Sequence, residues 1–260
     1  MRLLFIRHGD PDYERDTLTE KGRREAELLA EIIDSYHIDD VYQSPLGRAR
    51  DTAAYSCDRL NKKPVTLEWL KEFPALTDPN LSEDVRKAFA TELVTDEATG
   101  QYRKRIVWDI LPSYYMDHPE LFDREGWRRS ALAEAGNMVS LYDEVASGFD
   151  ALLADYGYVR KGLVYQVTNS NEKTIALFCH FGLASLLLSR LCNVSPFVPW
   201  HFTALAPTSV TEVITEEREK GIAIFRTLRA GEITHLRMSN EEPSFSARFC
   251  ERYENREQRH

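Results

Sequence analysis

The hydrophobic pattern of the first sixty residues alternates between short apolar runs and longer amphipathic segments. A buried strand is predicted at Arg2–Ile6, and after a polar loop apolar residues recur at helical spacing from Leu28 to Tyr36. Thr19 precedes this segment and is a good N-cap residue. A second strand is predicted at Val41–Gln43, and Ser44-Pro45 indicates the start of a second helix. The pattern therefore predicts two successive strand–loop–helix units.

A late stretch of the chain repeats this design. Residues Thr174–Cys179 form a continuous apolar run that is followed by His180 and a helical pattern. A run without polar alternation is typical of a parallel strand that is covered on both faces. Two more strands are predicted at Ser209–Thr215 and Ile222–Leu228, joined by a polar turn. Strands that alternate with helices predict an α/β fold, a three-layer sandwich with a mostly parallel central sheet.

The middle of the chain has a different character. Between Pro74 and Lys161 the sequence is rich in tryptophan, tyrosine and proline, and it carries one long helical pattern from Met138 to Tyr156. Most of these aromatic residues are expected to pack rather than to do chemistry. The sequence predicts a single domain over residues 1–260 with a helical, cap-like insertion at about 74–161.

Composition narrows the class of protein. The 260 residues are 43% hydrophobic and 29% charged, as in ordinary globular chains. The net charge is −9 and the basic residues are dispersed, so no nucleic-acid partner is expected. No apolar run approaches the roughly 20 residues that a bilayer requires, and the start is too short for a secretory signal. These features predict a cytoplasmic protein without a membrane partner. The four cysteines lack the paired spacing that indicates a zinc site or a redox pair. No metal and no cofactor is expected.

Two histidines follow predicted parallel strands. His8 and His180 each occupy the position just beyond a strand, and ligands of open parallel sheets bind at the carboxyl ends of the strands. A single histidine there is more often a turn residue. Arg7 favours a functional role for His8, because a guanidinium at the end of a buried strand needs a partner for its charge. A phosphate group suits the planar fork of that guanidinium.

Three ordered motifs carry a family resemblance. The segments "RHG" after the first strand, "SPLGRARDTA" about forty residues later and "CHFG" late in the chain resemble the histidine phosphatase superfamily, also called phosphoglycerate mutase-like. The resemblance covers residues 1–72 and 174–230. It implies catalysis through a phosphorylated histidine.

The resemblance also implies site residues. It identifies His8 as the nucleophile, Arg7 and Arg48 as phosphate ligands, and His180 as a further catalytic ligand of the phosphoryl group. A neutral imidazole is a competent nucleophile near pH 7, and fixed cations stabilise the charge of the transferring group without a metal. Arg50 projects about 200° away from Arg48 around the helix and is expected to be a solvated charge.

The leaving group also needs a proton donor. In the family this group is usually a glutamate after the third strand, and Glu72 follows the predicted strand Val65–Leu67. The common glycine a few residues later is absent from this chain. Glu68 and Asp109 therefore stay as alternatives to Glu72.

The loop after "RHG" and the substrate contacts carry no clear motif. Many family members carry a threonine and an asparagine after "RHG", and this chain has neither there. Arg15 and Thr17 are candidates for the place of the asparagine. Trp108, Trp200 and His201 are considered as substrate contacts, although packing is the ordinary role of both tryptophans.

Three functions fit these features. The first is a metal-independent phosphatase that hydrolyses a small phosphomonoester through a phosphohistidine. The second is a phosphoglycerate mutase, which returns the phosphoryl group to its substrate. The third is a non-catalytic phosphate-binding or scaffold protein. The divergent opening loop and the bulky insertion favour the phosphatase.

Overall fold

The computed structural model describes residues 1–90, 93–246 and 252–255. The chain divides into two compact units: a first unit of Met1–Glu72, Asp150–Ala184 and Thr203–His260, and a second unit of Phe73–Phe149 and Ser185–Phe202. The predicted insertion at about 74–161 shares residues 74–149 with the second unit, whereas residues 150–161 belong to the first. Within the described ranges, no helix combines the length and apolar character needed to cross a membrane.

The secondary structure alternates strands and helices. The strands are β1 (Arg2–Arg7), β2 (Pro11–Asp12), β3 (Thr17–Leu18), β4 (Asp40–Gln43), β5 (Val65–Thr66), β6 (Leu76–Thr77), β7 (Arg105–Ile106), β8 (Tyr158–Lys161), β9 (Val164–Val167), β10 (Thr174–Cys179), β11 (Val210–Glu219) and β12 (Ile222–Glu232). The helices are α1 (Glu20–Ile32), α2 (Gly47–Leu60), α3 (Glu83–Phe89), α4 (Pro112–Asp117), α5 (Ala131–Glu134), α6 (Met138–Asp155), α7 (Phe181–Cys192), α8 (Phe197–Phe202) and α9 (Thr234–Met238).

The first unit is built on an eight-stranded sheet in the order β5-β4-β10-β1-β11-β12-β9-β8. Strands β5, β4, β10 and β1 are parallel, and from β1 to β8 each neighbouring pair is antiparallel. The predicted α/β fold is confirmed, with a mixed sheet whose parallel half carries the two histidine motifs. The sequence did not predict the β8–β9 hairpin, because its short strands lack a clear apolar alternation.

Local signals explain where the first two helices begin. Thr19 caps α1 as predicted, since its side chain accepts a hydrogen bond from the Gly22 N–H. The start of α2 is different: Leu46 is the N-cap, and the helix begins at Gly47 rather than at Ser44-Pro45. The Ser44 hydroxyl instead accepts from the Leu46 N–H at 3.2 Å and lies 2.7 Å from a ring nitrogen of His180. Ser44, which the sequence predicts as a helix cap, therefore contacts His180 instead.

One apolar cluster anchors the strands that lead to the site. Leu4 and Ile6 of β1 and Phe178 of β10 pack against Leu29 of α1 and Ala53 of α2, and all five are buried. Burial of such side chains stabilises the fold by about 1.5–3 kcal/mol for each large residue. The strands that end at the two histidines are thus held firmly on this face of the sheet.

The second unit has its own aromatic core. Phe73, Trp108 and Trp200 lie with ring centroids 5.4–6.2 Å apart. Trp108 is 8% exposed and Trp200 only 1%, so both tryptophans pack inside this unit. Offset and tilted ring pairs of this kind stabilise a core beyond the area that they bury.

Candidate active site

The strand register brings the two histidines together. Arg7 pairs with Cys179 in the parallel β1–β10 ladder, so the next residue of each strand end lies at the same edge of the sheet. The ring centroids of His8 and His180 are 5.0 Å apart and the rings are tilted by 56°. Both side chains are buried. Two residues that are 172 positions apart in sequence therefore form one cluster.

The backbone fixes the orientation of His8. Its Nδ1 lies 2.7 Å from the carbonyl oxygen of Gly9, which can only accept, so Nδ1 carries the proton and Nε2 keeps its lone pair. Burial lowers the pKa of His8 well below its usual value, and the charges of Arg7 and Arg48 lower it further. The ring is therefore neutral at pH 7. Glycine is required at position 9, where a Cβ would lie 2.6 Å from the Gly22 carbonyl.

His180 is held by one of its two ring nitrogens. Its Nε2 lies 2.7 Å from the Ser44 hydroxyl, while Nδ1 is buried and has no hydrogen-bond partner within the described residues. Burial is the main cause of its strongly lowered pKa, with His8 and the nearby guanidinium groups adding to the effect. This ring is also neutral and has one free nitrogen.

Each arginine of the candidate site donates hydrogen bonds to the protein through Nη1. Arg7 donates through Nη1 to the carbonyl oxygens of Leu205 and Ser246, at 2.7 and 2.8 Å. Arg48 donates through Nη1 to the carboxylate of Asp16 at 2.6 Å. The Nε atoms of both arginines are buried and have no partner in the part of the chain that the structure describes. Buried donors are almost always satisfied in proteins, and these two N–H groups are able to bind an anion.

Asp16 is a site residue that the sequence did not predict. Its carboxylate accepts from Arg48 and from the Gly47 N–H, at 2.6 Å each. Although burial opposes its ionisation, these hydrogen bonds hold the pKa of Asp16 below its usual value. The two predicted candidates are placed elsewhere: the Arg15 side chain is 82% exposed, and the Thr17 hydroxyl donates to a carboxylate of α2. Asp16 adopts the left-handed conformation, which aspartate tolerates better than most residues, but no local sequence pattern links it to Arg48.

Glu72 lies at the N-terminus of α7. Its carboxylate accepts from the Leu183 N–H at 3.0 Å and from the Gly182 N–H at 3.4 Å. Unpaired N–H groups at a helix start favour an anionic partner. Of the alternatives, Glu68 is exposed, and Asp109 belongs to the second unit, where it forms an ion pair with an arginine.

The cysteines and His201 take no part in the cluster around His8 as far as the structure describes them. Cys179 is fully buried and burial raises the pKa of its thiol to about 12, so it is an inert core residue. Cys57 and Cys192 are also free thiols, and Cys250 lies outside the described residues. His201 stacks on Phe197 in the second unit, and burial lowers its pKa to about 4. Across the described ranges, no three His, Cys, Asp or Glu side chains cluster as a metal site would require.

The buried histidines predict a loss of stability in mild acid. Burial lowers the pKa of His8, His180, His201 and His235, the last two to about 4. Below pH 6.5 the unfolded chain takes up protons that the folded protein does not. We therefore expect the free energy of unfolding to fall by about 1 kcal/mol per pH unit for each such histidine between pH 6.5 and 4.

Urea unfolding at pH 7.5, 6.5, 5.5 and 4.5 measures this slope. His235→Gln removes one of the four buried groups and is expected to make the curve shallower. A free energy of unfolding that stays level between pH 6.5 and 5 would contradict this interpretation.

Comparison with known proteins agrees with the geometry. A model of the histidine phosphatase superfamily (branch 1) matches residues 3–104, which include the His8 and Arg48 motifs. A 2,3-bisphosphoglycerate-dependent phosphoglycerate mutase from Thermoplasma acidophilum is 38% identical over 138 residues, which span 47% of this chain and 66% of the mutase.

Solved structures share the fold at lower identity. A phosphoserine phosphatase from Entamoeba histolytica, in complex with phosphoserine, matches 90% of this chain and 98% of its own with a TM-score of 0.56 and 18% identity. The α-ribazole phosphatase from Shigella flexneri matches 90% of this chain and 97% of its own with a TM-score of 0.53 and 19% identity. The motif residues lie at one edge of the sheet, and the part of the chain that carries the first two motifs, residues 3–104, is similar to the histidine phosphatase superfamily (branch 1).

Proposed function

We propose that the protein is a phosphatase that hydrolyses a small phosphomonoester through a phosphohistidine at His8. One observation carries this proposal: buried nitrogens of Arg7, Arg48 and His180 have no partner among the described residues and belong to the groups that surround the neutral His8 ring. A tetrahedral anion bound to these nitrogens would be adjacent to the nucleophile.

The reaction has two steps. In the first, the lone pair on Nε2 of His8 attacks phosphorus, the ester P–O bond breaks, and the leaving oxygen takes a proton from Glu72. In the second, water attacks the phosphohistidine, Glu72 takes a proton from that water, and the N–P bond breaks. Inorganic phosphate leaves, and His8 returns to its neutral form.

Fixed cations supply the stabilisation of the transferring group. Its charge is spread over three equatorial oxygens, which the guanidinium groups of Arg7 and Arg48 and the ring of His180 can bind. All three groups are held by protein partners before substrate arrives, so little reorganisation is needed. The proposed chemistry uses no cofactor, because side chains provide both the nucleophile and the positive charge.

Glu72 is the proton donor of the proposed mechanism. Its negative charge is among those that act on Arg7 and on Cys179, the neighbour of His180, so it belongs to the same cluster. Glu68, four residues earlier, is exposed. The two backbone N–H groups of α7 stabilise the carboxylate that Glu72 becomes when it gives up its proton in the first step, and the proton that it takes from water in the second step restores it.

Glu72→Gln is expected to separate substrates by their leaving groups. An alkyl phosphate, whose alkoxide needs a proton, should react roughly 10²–10³-fold more slowly. For p-nitrophenyl phosphate, whose phenolate leaves without a proton, we expect a smaller change. The measurement is kcat for both esters, with Glu68→Gln as the matched control. Equal slowing of both esters would assign the acid role to another residue.

A mutase is the second candidate, because a relative of 38% identity is a phosphoglycerate mutase. With 3-phosphoglycerate as substrate, the proposal predicts release of inorganic phosphate. Formation of 2-phosphoglycerate without phosphate release would overturn the choice of phosphatase.

A panel that includes phosphoserine and p-nitrophenyl phosphate widens the search for a substrate. If inorganic phosphate binds but no member of the panel turns over, the protein is a phosphate-binding scaffold instead.

A further inference from the structure

The chain turns back towards the site after the last described helix. Helix α9 is followed by Asn240 in the left-handed conformation, and the Glu241 N–H bonds to the Leu236 carbonyl at 2.9 Å. This arrangement ends a helix and reverses the chain. An ion pair of 3.0 Å between Glu241 and Lys21 then ties the segment to α1. Residues 241–246 are thereby directed along α1 to the loop that follows β1.

A buried carboxylate joins this segment to the loop. Glu25 of α1 is fully buried and accepts the backbone N–H groups of Asp10 and Ser244, each at 2.8 Å. Burial raises the pKa of Glu25, while these two hydrogen bonds oppose that effect. One carboxyl group thus bridges two backbone positions that are 234 residues apart.

Asp10, the residue after "RHG", makes the second connection. Its carboxylate accepts the hydroxyls of Ser244 and Ser246, the latter at 2.8 Å, and that of Thr19 at 2.7 Å. We call Asp10, Glu25 and residues 244–246 the clasp. The carboxylate of Asp10 is an acceptor only, so it orients both serine hydroxyls towards itself.

The clasp contacts Arg7, which is a phosphate ligand in the proposed function. The carbonyl oxygen of Ser246 accepts Nη1 of Arg7 at 2.8 Å, and the buried Nε of Arg7 has no partner within residues 1–90, 93–246 and 252–255 and can bind an anion. We propose that Asp10 is a positioning residue, which fixes Ser246 so that its carbonyl holds the Arg7 guanidinium in the orientation that binds the phosphoryl group. The inference rests on the proposed function, since Arg7 is there a phosphate ligand.

A purely structural role is the competing explanation. Buried polar networks of this kind also fix the path of the chain, and removing one member leaves unsatisfied groups. The two explanations predict different results. If Asp10 is a positioning residue, its replacement weakens phosphate binding only while Arg7 is present. If its role is structural, its replacement lowers the free energy of unfolding whatever residue occupies position 7.

Asp10→Ala is the first variant, and Asp10→Asn, which keeps one acceptor oxygen, is the second if the alanine variant does not fold. We expect the Kd for inorganic phosphate, measured by calorimetry, to rise roughly 10-fold, the equivalent of one charge-assisted hydrogen bond. Glu14→Ala is the matched control, because Glu14 is an exposed acid of the same loop. Unchanged affinity in a folded Asp10 variant would overturn the inference.

A double-mutant cycle with Arg7→Lys decides between the explanations. If Asp10 acts through Arg7, its replacement should change the phosphate Kd by less than about twofold in the Arg7→Lys background. A tenfold change in both backgrounds would favour the structural role. A failure of the proposed function gives a different result. Phosphate still binds, and the Asp10 and Arg7 substitutions still depend on each other, but no phosphohistidine forms when the protein is exposed to phosphomonoesters.

Discussion

His8→Ala is expected to lower kcat for p-nitrophenyl phosphate by roughly 10⁴–10⁶-fold, the size of loss seen when a covalent nucleophile is removed. The reason is that, in the proposed mechanism, Nε2 of His8 forms the bond to phosphorus, Nδ1 of His180 binds a phosphoryl oxygen, and the buried Cys179 thiol, with a pKa of about 12, is not ionised near pH 7. Inorganic phosphate should still bind, because both arginines remain.

Steady-state kinetics and phosphate calorimetry on the same preparation check this prediction. His37→Asn is the matched control, since His37 is exposed and asparagine tolerates its left-handed backbone. Turnover by His8→Ala within tenfold of the wild type would exclude His8 as the nucleophile.

Arg48→Met is expected to produce the second largest loss, roughly 10²–10³-fold in kcat/KM. The buried Nε of Arg48 has no hydrogen-bond partner among the described residues, and the charge of Arg48 acts on both His8 and His180. Arg48→Lys should recover only part of the activity, because an ammonium group lacks the planar fork that binds two oxygens and cannot hold Asp16 in the same way.

Arg50→Met tests whether the loss is specific. Arg50 lies two residues later on α2 and is exposed, so its replacement removes the same charge from the same helix without touching the site. We expect less than a twofold change in kcat/KM. A similar loss in both variants would mean that the net charge of the helix matters, rather than a contact with phosphate.

The sequence alone was sufficient for the two strands that lead to the histidine motifs and for the start of α1. Strands β1 and β10 are continuous apolar runs, and Thr19 is a strong cap, so their positions follow from local composition. The rule that parallel strands end at the same edge then placed His8 near His180, and the structure gives the register that brings their rings to 5.0 Å.

Other features depend on partners that local patterns cannot reveal. Asp16 and Arg48 are 32 residues apart, and Asp10 and Ser246 are 236 apart, with no periodicity that links them. Ser44 reads as a helix cap, yet its hydroxyl bonds to His180. Hydrogen-bond partners at such separations are set by tertiary structure, so they become visible only in the folded chain.

The proposed mechanism requires a covalent bond between phosphorus and His8. Rapid mixing of the wild-type protein with a phosphomonoester labelled on its phosphorus, quenched in base and followed by peptide mapping, measures that bond directly. We expect label that is stable in base and lost in acid, as a phosphoramidate is, on the peptide that contains His8, formed within one turnover. Turnover that proceeds with no label on His8 would contradict the account.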